Sequence, residues 1–138
     1  GAATITIINR TLARAEELAK VVNDSTSAKA SALAWEANQS VPEGTDILIN
    51  ATSIGLAPQS DQKPDINYQT VTSNMVVTDV VFNPADTLFL QEAAKQGAKP
   101  VNGLGMLACQ GALNFTLWTG VEAPLDVMEN QLREEFGL

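Results

Sequence analysis

Short β-branched runs alternate with helical stretches along the whole chain, and this alternation constrains the fold more than any other feature. Thr4-Ile5-Thr6-Ile7-Ile8 predicts a strand. Asn9-Arg10-Thr11 ends it, with Thr11 placed as a helix N-cap. Leu12, Ala15, Leu18, Ala19 and Val22 then recur on one helical face, and residues 23–27 read as a polar turn. A weaker strand is expected around residues 29–33, where Ala and Ser carry little β preference. Residues 46–51 form a buried-strand pattern, followed by a loop over 52–63 with Gly55 and Pro58. A further strand over 75–82 is stopped by Asn83-Pro84. A helix over 87–96 closes at Gly97, and residues 99–102 make a short strand. An apolar helix over 105–118 ends at Gly120, and Leu125, Met128, Leu132 and Phe136 share a face of a last helix that begins near Pro124. Repeated strand–helix–strand order means parallel pairing through right-handed crossovers. Continuous apolar strands fit an α/β sheet with helices on both faces.

Composition narrows the chemistry. The 138 residues suffice for one domain, and 45% apolar against 17% charged is a globular balance. Eight Lys and Arg against 16 Asp and Glu give a net charge of −8, which argues against nucleic acid or an anionic membrane as partner. There is no His, so a Ser-His-Asp triad, His-ligated zinc and imidazole acid–base chemistry are excluded. Cys109 is the single cysteine, which excludes an intrachain disulfide and a cysteine zinc cage, and no metal site is expected. No apolar run reaches the roughly 18 residues of a membrane span. The chain opens at strand pitch, with neither a starting Met nor a signal peptide. It is expected to be a piece of something longer, or a product cut inside a fold.

In an open α/β sheet the ligand lies outside the carboxyl ends of the strands, so strand-end residues are the candidates. At the end of the first strand, Arg10 offers a planar fork for phosphate, and Arg14 follows one helical turn later. An Arg at such a position accommodates the 2′-phosphate of NADP, where an acid would take the ribose of NAD. The alternative is a solvated Arg pair beside a turn. Thr52-Ser53-Ile54-Gly55 allows close approach of backbone to a flat ligand, or is an ordinary polar exit from a strand. Asp79 lies inside a buried strand, where the structural reading, pairing with backbone at a strand end, is preferred. In Asn102-Gly103-Leu104-Gly105 the glycines suit positive φ or close ligand approach. Gln110 is the polar member of a helical stripe with Met106, Leu113 and Leu117. By spacing alone, Met106, Phe115 and Trp118 are expected in the core, and Cys109 as a buried inert thiol.

Four segments together resemble the C-terminal half of the shikimate dehydrogenase family: INRTLARAEELA (8–19), DILINATSIGL (46–56), DVVFNPADTLFL (79–90) and NGLGMLACQGALNFTLWTG (102–120). They occur in the family's order and separations. The resemblance implies an NADP-binding domain of Rossmann type within a cytoplasmic oxidoreductase of aromatic amino-acid biosynthesis, which reversibly reduces 3-dehydroshikimate with NADPH. It implies that residues 1–138 are a single partial NADP-binding domain. Asn9, Arg10, Thr11 and Arg14 match the clamp for the adenosine 2′-phosphate. Thr52 and Ser53 match the stretch lining the cofactor, and Val80, Gly103 and Met106 match nicotinamide-side positions. Phe82 and Gln110 match positions facing the substrate. Phe82 stands where the family usually has Tyr, which keeps the ring and removes a hydroxyl that could meet the substrate.

The matching region begins at the family's second Rossmann strand. The first strand, the Gly-rich pyrophosphate loop and the substrate domain with its catalytic Lys and Asp are not in these residues. No catalytic residue is therefore assigned here, and Lys20, Lys29, Lys63, Lys95 and Lys99 lie in no matching motif. In the strand order 3-2-1-4-5-6 the missing strand is central. The expectation is an incomplete parallel sheet whose flanks close up, recruit a neighbouring chain or rearrange, with a homo-oligomer favoured because symmetric pairing hides strand edges. Weak NADP(H) binding is expected, with shikimate or 3-dehydroshikimate engaged only alongside the missing domain. The rival readings are a quinate/shikimate dehydrogenase of broader substrate range, a non-catalytic oligomeric nucleotide-binding or scaffold module, and an unrelated oxidoreductase activity gained by an oligomer.

Overall fold

The computed structural model describes residues 1–137. The order is β1 (Thr4–Asn9), α1 (Leu12–Ser25), β2 (Lys29–Ala34), β3 (Gln39–Ser40), β4 (Ile47–Asn50), β5 (Ile66–Asn67), a 3-10 turn (Tyr68–Thr70), β6 (Val76–Asp79), α2 (Leu88–Lys95), β7 (Lys99–Val101), α3 (Leu104–Thr119) and α4 (Leu125–Glu135). The protein is α/β, and every strand pair is parallel. The described residues form two compact units: Gly1–Pro42 with Asp65–Asn67, and Glu43–Pro64 with the residues from Tyr68 onward.

In the first unit β1 pairs with β2 along its whole length, from Thr4 opposite Lys29 to Asn9 opposite Ala34. The weakly β-prone strand therefore forms, one residue longer than expected, because β1 supplies a full ladder. Helix α1 packs on this pair through Ala15 and Ala19, whose small side chains let backbone and sheet approach. The helix runs to Ser25, into the expected turn, and Thr26 then returns its amide and hydroxyl to the Val22 carbonyl. Asn23 exchanges two hydrogen bonds with the Ala30 backbone, at 2.8 and 3.0 Å, and so satisfies groups on a strand that has one strand neighbour. The two-residue pair β3–β5, which local pattern does not reveal, is held by Trp35 Nε1 donating to the Asp65 carbonyl and by Asn38 N–H donating to the Asp65 carboxylate.

In the second unit the strand order is β4-β6-β7, with Ile47 opposite Val76 and Val76 opposite Lys99. Strand β6 is central, and Val77 is fully buried with Met75 and Val81 close to it in burial. Helix α2 packs over β6 and β7 with Phe89, Leu90 and Ala93 inward. Strand β6 ends at Asp79, short of the expected residue 82, because the Asp79 carboxylate takes the Val81 amide. Helix α3 contacts α4, and Phe82 meets Phe136 edge-on at a centroid distance of 6.4 Å.

Among the described residues β1 has a strand only on the β2 side, and β4 only on the β6 side. Ile47 and Ile49 on β4 remain more than half exposed. Two expectations about α3 are corrected. Met106 and Trp118 are exposed, Trp118 at 82%, and Cys109 is exposed too. The apolar pattern is right for a buried helix, but within this chain only Leu104 and Ala108 of α3 are buried. No helix among the described residues is long and apolar enough to cross a membrane.

Candidate functional site

In the first unit the candidates gather at the carboxyl end of β1 and the start of α1. Asn9 Oδ1 accepts the Thr11 amide at 2.9 Å, which fixes the turn between them. Thr11 is the N-cap by position, as expected, yet its side chain makes no capping bond. Asn9 shapes the turn ahead of the helix without capping its first-turn amides, and the Thr11 hydroxyl is exposed. Arg10 and Arg14 are both exposed, and neither makes an ion pair among the described residues. The first turn of α1 holds no acid. Two uncompensated guanidinium groups thus stand at the positive end of a helix dipole, in a chain of net charge −8. That arrangement suits a dianionic phosphate, which would take the guanidinium forks and the Leu12 and Ala13 amides at the start of α1.

In the second unit the candidates lie on segments that leave β4 and β6 and on the start of α3. Three polar residues are buried among the described residues, Asn50, Asp79 and Thr87, and Asp79 bonds to the other two. Asn50 Nδ2 donates to Asp79 Oδ1 at 2.9 Å, and Thr87 Oγ1 donates to Asp79 Oδ2 at 2.7 Å. The Val81 amide also donates to Asp79 Oδ1, at 3.0 Å. Burial pushes the Asp79 carboxyl above its ordinary value, against the opposing pull of the Thr87, Val81 and Asn50 donors. The structural reading of Asp79 is correct in kind, since it binds backbone at a strand end, but its links to Asn50 and Thr87 span 29 and 8 residues.

Asn50 shapes the segment that follows it. Its Oδ1 accepts from the Thr52 hydroxyl at 2.7 Å and the Thr52 amide at 3.2 Å, and Thr52 Oγ1 accepts the Ile54 amide. Thr52 is half-buried by these bonds, whereas Ser53 beside it is exposed. Gly55 turns the segment with φ of +93°, a region that a side chain would strain. Val80 and Phe82 are half-buried, and Gln110 is exposed on α3.

Gly103 has a structural explanation that the sequence pattern misses. Its φ is −80°, so positive φ is not the reason for glycine. A Cβ there would lie 2.9–3.1 Å from the carbonyl oxygens of Val81, Asp79 and Val80. The close approach is by the protein's own backbone, and it seats the start of α3 against the end of β6. Gly105 has open space around it and carries no such constraint. Among the described residues no cluster of His, Cys, Asp and Glu has the makings of a metal site.

Known proteins resemble this chain in sequence and in fold. The model of the shikimate 5′-dehydrogenase C-terminal domain matches residues 103–133. A shikimate dehydrogenase (NADP(+)) of Desulforamulus reducens is 42% identical over 138 residues, 98% of this chain and 47% of that protein. The structure of ligand-free 5-ketofructose reductase from Gluconobacter sp. strain CHM43 superposes with a TM-score of 0.88 at 44% identity, over 99% of this chain and 49% of that one. A shikimate dehydrogenase in complex with NADP+ gives a TM-score of 0.81 at 33% identity, over 98% of this chain and 55% of that one. The chain spans about half the length of the curated relatives it matches.

Proposed function

Because the chain belongs to the shikimate dehydrogenase family, over about half the length of its relatives, we propose that it is the NADP-binding half of an enzyme that reduces 3-dehydroshikimate to shikimate. The observation that carries this reading is the pair of unpaired guanidinium groups, Arg10 and Arg14, at the acid-free first turn of α1. When bound, NADPH supplies hydride to a carbonyl carbon. In this reading Arg10 and Arg14 hold the 2′-phosphate, while Asn9 and the Thr11 hydroxyl and amide set the turn around it. Thr52, Ser53, Val80, Gly103 and Met106 form the wall for the nicotinamide half, and Phe82 and Gln110 face the substrate. Proton transfer to the alkoxide needs an acid that none of these residues provides, so the chain acts only with a substrate-binding partner domain. Residues 1–138 would then be one partial NADP-binding domain. The open second edges of β1 and β4 support association with further chain, in a homo-oligomer or with the other half of such an enzyme. The net charge of −8 supports a partner that is neither nucleic acid nor membrane, in keeping with a cytoplasmic enzyme.

Phosphorus NMR tests the reading. The 2′-phosphate resonance of NADP+ should shift on addition of the chain, and the shift should vanish with Arg10→Ala/Arg14→Ala. An unmoved resonance with the unaltered chain would refute the clamp. A second reading concerns the substrate. The 44% identity to a 5-ketofructose reductase, with Phe82 where the family usually has a hydroxyl-bearing Tyr, favours a different polyhydroxy ketone. Rates of NADPH oxidation with 3-dehydroshikimate and 5-ketofructose, measured in the whole enzyme, separate the two.

A further inference from the structure

The buried trio Asn50–Asp79–Thr87 contains no residue assigned to cofactor or substrate, yet its bonds reach the segments after β4 and β6 that carry such residues. Through Asn50 it shapes the segment holding Thr52 and Ser53. Through the Val81 amide it fixes the chain between Val80 and Phe82. Thr87 caps α2, its Oγ1 accepting the Leu90 amide at 3.4 Å, and so ties the far end of the 80–86 segment to the same carboxyl. The two segments are also joined directly, the Ala57 amide donating to the Asn83 carbonyl at 2.8 Å. Gly103 rests on the carbonyls of residues 79–81, so the backbone that Asp79 fixes is also the seat of α3 and of Met106. No buried side-chain polar atom among the described residues lacks a partner. A fully satisfied buried network fixes one geometry, whereas a partly satisfied one does not.

We propose that Asp79 is a positioning residue: with Asn50 and Thr87 it presets the wall formed by Thr52, Val80 and Gly103 for the nicotinamide half of the cofactor, without touching the ligand. This deepens the NADP reading and rests on it. A residue that merely stabilised the fold would affect all ligand binding equally when altered. A positioning residue for this wall would affect only ligands that carry a nicotinamide.

The test compares NADPH with 2′,5′-ADP, which has the 2′-phosphate and no nicotinamide. Calorimetry on the full chain would be run with the unaltered protein, Asp79→Asn, Thr87→Val and Thr87→Ser. Asp79→Asn and Thr87→Val should weaken NADPH about tenfold, the loss of one well-made polar contact, and leave 2′,5′-ADP within about twofold. Thr87→Ser, which retains the hydroxyl, should restore NADPH. Equal losses for both ligands, or unchanged NADPH affinity, would overturn the proposal. Failure of the unaltered chain to bind either ligand would refute the NADP reading itself. Amide hydrogen exchange without ligand gives an independent readout. In Thr87→Val, which keeps the shape of the side chain, exchange should rise at Thr52, Ile54 and Val81 and stay unchanged in α1. Unchanged exchange at those three amides would remove Asp79 and Thr87 from any positioning role.

Discussion

The start of α1 and the end of β6 hold polar groups in opposite ways. At α1 the cations Arg10 and Arg14 are exposed and unpaired. At β6 the carboxyl of Asp79 is 1% exposed and saturated with three donors. Exposed charge can recognise an anion but contributes little to folding, because water already solvates it. Buried and satisfied polar groups recognise nothing directly, but they fix backbone whose disruption strands several groups at once. In the proposed function, ligand charge and ligand geometry fall to different parts of the chain, and substitutions should separate them.

The largest effect belongs to the buried side. Asp79→Ala leaves the Asn50 amide, the Val81 amide and the Thr87 hydroxyl short of an acceptor. Each stranded group costs about 1–3 kcal/mol, so urea unfolding should show a loss of about 3 kcal/mol or more. Gly103→Ala comes next, at about 1–3 kcal/mol, because its Cβ would meet backbone carbonyls that cannot rotate away. Gly105→Ala, with open space, is the control and should be neutral or stabilise the chain by up to about 1 kcal/mol. If the two alanine variants behave alike, the seat of α3 is not built as described.

On the exposed side, Arg10→Ala should leave stability within about 0.5 kcal/mol. It should weaken NADPH about tenfold or more, by loss of a charge-assisted contact, and leave NADH unchanged. The lost affinity should be the salt-sensitive part, which titrations at two ionic strengths would check. The turn ahead of the helix is a smaller matter. Asn9→Ala removes the acceptor of the Thr11 amide and should cost about 1 kcal/mol, whereas Thr11→Ala should cost less, since its side chain makes no cap bond.

Titration gives the finest comparison. With its carboxyl raised above the ordinary 3.8, folded Asp79 keeps a proton that the unfolded chain has already released. Its contribution is complete below the ordinary value and is lost as pH rises through the raised one. The stability of the unaltered chain relative to Asp79→Asn should therefore fall over that interval. A difference that stays flat, or grows with pH, would contradict the burial argument.

Local pattern exposed most of the architecture. The strand, helix and parallel order from β1 to α4 follow from β-branched runs, helical periodicity and Gly or Pro stops, each a property of neighbours in sequence. The Arg pair was equally legible, because an exposed charge needs only its position at a strand end. What escaped depends on contacts distant in the chain. Residues Gln39–Ser40 pair with Ile66–Asn67 across an intervening strand, and no periodicity marks a two-residue ladder. Asn50 and Thr87 look like ordinary polar residues until the fold brings them to Asp79. Gly103 looked like a ligand glycine, and its neighbours proved to be the protein's own carbonyls. Met106 and Trp118 failed in the other direction. Their spacing predicts a place in the core, yet the described residues leave them 46% and 82% exposed.

Calorimetric titration of the intact chain with NADPH and with NADH tests the proposed 2′-phosphate clamp most directly. NADPH should bind measurably and at least about tenfold tighter than NADH, the difference one charge-assisted phosphate contact makes. Equal affinity for the two dinucleotides, or no binding of either, would contradict it.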